Sequence, residues 1–407
     1  MLNEAYIERK NNLVTSTRLL KLFHALFYST NAVLLSYLPL LLRERGFEPF
    51  EVGTILMLGP FLAMFAQPAA GLISDRIRKV RPLLIGLWIV LGISASLAFL
   101  TTDRILVAIS ILILYICYLP SISLLDTLTV KIANSMQQSY GAVRLWGSVG
   151  FTVTAVTLAQ VFDLVGGVDS LFWMYLPVWS SFFIGMFFLK EPRYDDSEPD
   201  EAVNMTILKK ALTIPSLLVL LALIFVIGMP HRMNDALLSL HMSDLGATSG
   251  QVSIAWAVAG FSEVFGFIIM GRIMKRYRML TLLSVVGMLY ALRWLLYSIT
   301  TEPVMLIVLQ GLHSITYACF WALAIEFVVQ LLPQKLAATG QSLLGMVFFG
   351  LSGLAGGVIG GALQESYGGN VMYSIGFVLA LLGTFGFMLW NRKDRKRTLA
   401  VEQEATA

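Results

Sequence analysis

The chain has 407 residues, of which 57% are hydrophobic and only 13% charged, and its mean hydropathy is +0.76. A soluble domain of that composition lacks the polar groups to cover its surface, so the composition excludes a water-soluble protein and implies an integral membrane one. The formal charge of +4 resides in short connections and implies no nucleic-acid partner.

Twelve apolar stretches fill most of the chain, at roughly 19–42, 51–72, 82–101, 104–130, 141–163, 169–190, 212–240, 250–271, 279–300, 303–332, 339–362 and 370–390. Each is about long enough to cross a bilayer as a helix. A spanning segment must satisfy its own backbone hydrogen bonds, and the alternation of a membrane barrel is absent, so helices are predicted. Lys and Arg fall on alternate connections: with a cytoplasmic N-terminus, that side holds twenty-four of them and the other only Arg43, Arg45 and Arg104. The asymmetry predicts that both termini are cytoplasmic. The first stretch is too long for a signal peptide and lacks a cleavage site, so it is expected to stay as helix 1. Cys117 and Cys319 both lie in apolar stretches, which argues against a disulfide framework or a zinc site. A bacterial inner membrane is the simplest location.

The longest polar break runs from Glu191 to Lys210 around the acidic run Asp195 to Glu201. It reads as a cytoplasmic linker (191–210) between two bundles of six helices, 1–190 and 211–407, the second ending in a short basic tail. The halves echo each other weakly. Gly71 to Arg81 follows stretch 2 as Gly271 to Arg278 follows stretch 8, and Tyr115 and Cys117 correspond to Tyr317 and Cys319. The expected fold is therefore an all-α membrane protein of twelve helices in two pseudo-symmetric bundles.

Charge inside a membrane is costly, so ionisable residues in apolar stretches are functional candidates. Asp126, Arg144, Arg232, Asp235, Glu263 and Arg293 are of this kind, accompanied by His24, His231, His313 and Glu326. The strongest local signal is Tyr140 to Phe151, opening stretch 5. Gly147 and Gly150 offer a close-packing face, while Arg144, Ser148 and Phe151 share another by their spacing. Asp126 is the natural partner for Arg144, and together they offer a fork of donors and acceptors to a solute. Tyr118 and Phe151 supply candidate stacking surfaces for a sugar or an aromatic ring. Arg232 and Asp235, three residues apart, can neutralise each other. The glycines from Gly353 to Gly361 read as close helix packing rather than a nucleotide loop.

The loop after stretch 2, Gly71-Leu-Ile-Ser-Asp75-Arg76-Ile-Arg78-Lys79-Val-Arg81, resembles the signature of the major facilitator superfamily, with Arg78 where that signature has a second Gly. The resemblance implies that Asp75 and Arg76 latch the cytoplasmic side. The run around Arg144 resembles the phenylpropionate permease branch and, more distantly, the lactose permease branch, in which an acid on helix 4 and an Arg on helix 5 bind sugar. The matching positions are Asp126 and Arg144. Gln67-Pro68, Ala291-Leu292-Arg293 and Gly311-Leu312-His313 extend the likeness, and Ser262-Glu263 matches a substrate- and proton-linked acid. By this resemblance Glu263, Arg293 and His313 are the proton-coupling candidates. Two positions depart from the pattern: Thr316 stands where the lactose-type branch has its coupling carboxylate, and Gln310 replaces a Lys.

A secondary active transporter follows, expected to move a small organic solute with protons by alternating access. The solute is a sugar, a related polyol or nucleoside, or an aromatic acid. Export by proton antiport is the alternative, disfavoured by the resemblance because antiporting exporters of that superfamily carry a Gly-Pro-rich motif in helix 5 and stretch 5 has no proline; a receptor is a remote one. No phosphate-binding loop, metal spacing or nucleophile–base pair marks an enzyme. No cofactor or metal is expected, the proton gradient being the driving force, and the expected partners are the solute, protons and lipid, with the protein a monomer.

Overall fold

The computed structural model describes residues 2–135, 140–188 and 209–406, and every regular element among them is helical. In chain order these are α1 (Leu2–Glu44), α2 (Pro49–Ile77), α3 (Arg81–Leu100), α4 (Arg104–Ser135), α5 (Tyr140–Val161), α6 (Leu171–Gly185), α7 (Pro215–Asp244), α8 (Ser249–Ile273) and α9 (Met279–Ile299). The run α10 (Pro303–Leu331) follows, then α11 (334–367) and α12 (Gly369–Thr406). Ten of these helices are long and apolar enough to cross a membrane, while α6 and α8 stand at the sixth and eighth predicted stretches. Apart from Lys209 and Lys210, the linker predicted at 191–210 lies outside the described residues.

Helix ends follow from local chemistry. The α1 terminus is closed by Gly46 at φ +80°, with the amide of Phe47 donating to the carbonyl of Leu42 at 3.0 Å. The α7 terminus repeats this with Gly246 at φ +85° and Ala247 donating to Met242 at 2.9 Å. Both are left-handed caps that favour glycine, and they fall at equivalent places in the two halves. The α2 terminus has the same bond, Lys79 to Ser74 at 3.3 Å, but the left-handed residue is Arg78 at φ 52°. That is the position where the loop signature has its second glycine, so this chain keeps the turn and accepts a less favourable residue in it.

Two compact units emerge. The first comprises residues 1–48, 58–199 and 242–261, and the second 49–57, 200–241 and 262–407. In the first, α1 packs on α5 and α3 on α4. A Cβ on Gly150 would overlap the Ala25 carbonyl oxygen, so the glycine face predicted on α5 is what lets α1 approach. Reciprocal bonds between the indoles and backbones of Trp88 and Trp179, at 3.2 and 3.1 Å, tie α3 to α6.

In the second unit α9 packs on α12. The glycine row of α11 works as predicted: a Cβ on Gly356 would strike the Met229 carbonyl oxygen at 2.7 Å, and one on Gly357 would overlap that of Gly53. The unit's helices are not uniform. Within α10, the α-helical Pro303–Leu309 passes into a tighter turn at Gln310–Leu312 and a π-helical stretch at Ser314–Ala318, before α-helix resumes at Cys319–Leu331. A second π-helical stretch, Met346–Leu351, interrupts α11. Such stretches are frequent at functional sites, and these two flank the polar core of the unit.

Candidate functional site

Each unit holds one polar cluster. In the first, Arg144 on α5 lies with its guanidinium carbon 3.8 Å from the centroid of the Tyr28 ring on α1. Gly147 makes room for this stack, because a Cβ there would fall 2.5 Å from the Tyr28 ring and 2.8 Å from an Arg144 nitrogen. Asp126 on α4 is half-buried, within hydrogen-bonding reach of the Tyr140 phenol and electrostatic reach of Arg144. Its Oδ1 is buried with no hydrogen-bond partner among the described residues. An ionised carboxylate accepts at both oxygens, so an acceptor is left over beside a cation–π stack.

His24 lies fully buried behind Tyr28, the two rings nearly parallel with centroids 6.3 Å apart. Its Nε2 is 2.7 Å from the Thr129 hydroxyl, which itself reaches the Leu125 carbonyl at 2.7 Å. Thr129 has one proton to give and gives it to the backbone, so His24 donates from Nε2. Its Nδ1 is then a buried acceptor without a partner among the described residues.

Tyr118 is buried and stacks on Phe27 at 5.0 Å, and its hydroxyl is buried with no hydrogen-bond partner among the described residues. Ser148 is half-buried one turn beyond Arg144. Phe151 is engaged elsewhere: it is buried against α8, where a Cβ on Gly260 would lie 3.0 Å from its ring. The structure thus gathers Asp126, Arg144 and Tyr118 of the predicted set. It adds His24, Tyr28, Thr129 and Tyr140. Tyr140 was legible, since it precedes Arg144 by one helical turn; Thr129 carried no sequence signal.

In the second unit, Arg293 on α9 is completely buried. It donates to the Thr316 hydroxyl at 2.9 Å, the Tyr297 hydroxyl at 3.2 Å and the Gln310 amide oxygen at 2.5 Å, and one nitrogen lies 3.3 Å from His313 Nδ1. The two departures from the lactose-type pattern, Thr316 and Gln310, are therefore both direct partners of Arg293. His313 Nε2 lies 3.1 Å from Glu263 Oε1. A guanidinium only donates, so His313 accepts at Nδ1, carries its proton on Nε2 and gives that hydrogen bond to Glu263. Glu263 communicates with Arg293 through this imidazole.

Arg232 and Asp235 pair as predicted, at 2.5 Å within α7. Arg76 is exposed at the end of α2, and the side chain of Asp75 lies outside what the structure describes. Among the described residues no group of three metal-ligating side chains assembles, and Cys117 and Cys319 are buried free thiols.

Comparison with known proteins agrees with this architecture. Residues 17–375 match the MFS_1 like family. Maltose permease of Geobacillus stearothermophilus is 24% identical over 379 residues, covering 92% of this chain and 94% of that protein. Sucrose permease of Escherichia coli is 22% identical over 160 residues, covering 38% and 37% of the two chains. Among solved structures, the nucleoside transporter NupG superposes with a TM-score of 0.81 at 16% identity, over 92% of this chain and 98% of that one. A bacterial homologue of the lysosomal transporter Spinster, inward-facing and unoccupied, gives 0.70 at 12% identity, over 93% and 97%.

The protein is a multi-pass membrane transporter for a small-molecule solute, not an enzyme, with the major facilitator fold. It belongs to the MFS_1 like family.

Proposed function

We propose that this protein is a proton-coupled symporter of a neutral, hydroxyl-rich solute, a sugar or a nucleoside. It works as a monomer in the bacterial inner membrane with both termini cytoplasmic, needing no cofactor beyond the proton gradient. One observation carries the solute class: the Asp126 Oδ1, which no described residue engages, beside an Arg144 held flat on Tyr28. A hydroxylated ring can donate to the carboxylate, accept from the guanidinium and rest on the aromatic face. A carboxylate solute would instead bring its charge against Asp126. The maltose, sucrose and nucleoside transporters among the similar proteins favour the same class.

Proton coupling is assigned to Glu263, His313 and Arg293. Protonation of Glu263 weakens the hydrogen bond it receives from His313, and this loosens the imidazole that Arg293 holds from the other side. A solute-dependent shift between inward- and outward-open states can use that change.

The test is uptake by proteoliposomes carrying an inward proton gradient, with maltose, sucrose and uridine as probes. One of them should accumulate, take up protons with it and leak out when an uncoupler is added. Glu263→Gln should still exchange labelled for unlabelled solute but fail to accumulate it; full uphill accumulation in that variant removes Glu263 from the coupling role.

A further inference from the structure

Helix α12 does not stop where its apolar part stops. The apolar run ends at Trp390, and the helix continues through Arg392, Lys393, Asp394, Arg395 and Lys396. The turn that leads into α9 carries a second basic run, Lys275, Arg276 and Arg278. Every basic side chain of the two runs is exposed.

The fold joins these distant runs. Arg278 pairs with Asp394, 116 residues further along the chain, and the Asn391 amide donates to the Thr281 hydroxyl at 3.1 Å. Beyond these links α9 packs along α12. At 3.6 residues per turn, Lys393 and Arg395 lie about 100° to either side of Asp394, so the ion pair sets them beside the turn that holds Lys275 and Arg276. Asp394 is the single acid in either run, and Arg278 engages it. On α10, which reaches α12 through the rings of Phe327 and Trp390 at 5.4 Å, the acid Glu326 accepts from Gln330 at 3.1 Å.

Two aromatic residues give the depth of this basic face. Trp390 is half-buried at the end of the apolar run, and Tyr277 is exposed within the basic turn, with the Arg276 guanidinium 6.0 Å from its ring. Trp and Tyr collect at the level of lipid headgroups, so the cations lie where phosphates are found. A one-sided excess of Lys and Arg is enough to orient a membrane protein, but orientation calls for no bond between two distant runs. Pooled cations at headgroup depth, beside apolar helix flanks, complement an anionic phospholipid, with its phosphate against the cations and its chains along the helices.

We propose that the turn before α9 and the continuation of α12 together form a docking site for an anionic phospholipid headgroup. Lys275, Arg276, Lys393 and Arg395 are its cations, and the Arg278–Asp394 pair is the clasp that assembles them. The site depends on neither the solute nor the coupling assigned above. A bound headgroup fastens the end of α9, the helix that carries Arg293, to α12.

The full protein in detergent is titrated with phosphatidylglycerol or phosphatidylcholine, and bound lipid is counted by native mass spectrometry. Each cation at a membrane surface is worth roughly five-fold in affinity, so phosphatidylglycerol should bind the more tightly by roughly tenfold or more. Lys275→Gln with Arg276→Gln, and separately Lys393→Gln with Arg395→Gln, should each erase most of that preference. Arg76→Gln with Lys79→Gln, which removes two exposed cations from the turn after α2, should leave it unchanged. Equal affinity for the two lipids, an equal loss in the control, or a loss in only one of the two paired variants overturns the proposal. Should a variant fail to fold, the wild type supplies its own check. Glycerophosphoglycerol, the headgroup without its chains, should not displace the lipid at equal concentration, and raising salt from about 0.05 M to about 0.5 M should remove the preference. Displacement by the free headgroup would mark a site for soluble anions, and a preference insensitive to salt would mark one that reads the chains; either result overturns the proposal.

Discussion

Arg144 and Arg293 are both arginines placed in apolar helices, and their surroundings differ in one respect. Arg293 is completely buried, and the side chains of Thr316, Tyr297, Gln310 and His313 engage its guanidinium. Arg144 is half-buried on an aromatic face, beside a carboxylate with an oxygen that no described residue engages. A cluster whose members mostly engage one another loses much when one is removed, although Arg293 Nε and Gln310 Nε2 are themselves buried with no hydrogen-bond partner among the described residues. A cluster with a spare acceptor costs the folded protein something, and recovers it when a hydroxyl arrives. The first arrangement suits a device that moves a proton among fixed partners. The second suits a binding site.

The contrast predicts opposite phenotypes for matched substitutions. Arg293→Met strands four buried polar groups and should destabilise by on the order of 3–5 kcal/mol, seen as a large drop in melting temperature of the purified protein. Arg144→Met removes the stack on Tyr28, about 1 kcal/mol, and should abolish detectable solute binding. Equal melting losses in the two variants would erase the distinction between the clusters. Next in size is Asp126→Asn, which removes a charged acceptor: solute affinity should fall by roughly tenfold or more with little change in melting. Isothermal titration with the transported solute decides it, and unchanged affinity would take Asp126 out of the site. Gly147→Ala is more local. Its Cβ would meet Tyr28 at 2.5 Å and Arg144 at 2.8 Å, so a loss of about 1–3 kcal/mol in stability is expected, together with weakened binding. A variant that melts and binds normally would mean the stack of Arg144 on Tyr28 is unimportant.

Much of this was legible in the sequence because membranes impose one-dimensional rules. Apolar length gave the helices, and Gly147, Gly150 and the glycine row of α11 marked where helices touch, since only a missing Cβ lets a neighbouring helix come so near. Intramembrane charge singled out Asp126, Arg144, Glu263 and Arg293, because such residues are too costly to be incidental. Partners were harder. Thr129 and Gln310 are unremarkable polar residues whose roles depend on which neighbour's proton is already committed. The π-helical stretches in α10 and α11 left no periodic trace, as one extra residue per turn over five or six positions is lost within an apolar run. Phe151 had the right spacing from Arg144, but α8 supplies it with a packing partner that spacing along α5 cannot foresee.

The smallest expected effect lies outside both clusters and calibrates them. Arg78 occupies a left-handed turn at φ 52° after α2, where the side chain costs roughly 1–2 kcal/mol relative to a residue without a Cβ. Glycine recovers that but adds freedom to the unfolded chain, about 0.4–1 kcal/mol, so Arg78→Gly should stabilise by a net of about 0.5 kcal/mol. The expected readout is a small rise in melting temperature with solute affinity unchanged. Because the position lies in the turn between α2 and α3, distant in sequence from Arg144 and Arg293, the variant separates general stability from site integrity. If Arg78→Gly melts higher and still binds as the wild type does, losses of binding at Asp126 or Gly147 cannot be ascribed to weakened folding alone. If instead it melts lower, the arginine side chain makes contacts worth more than the backbone conformation costs, and the second glycine of the loop signature has been replaced for a gain.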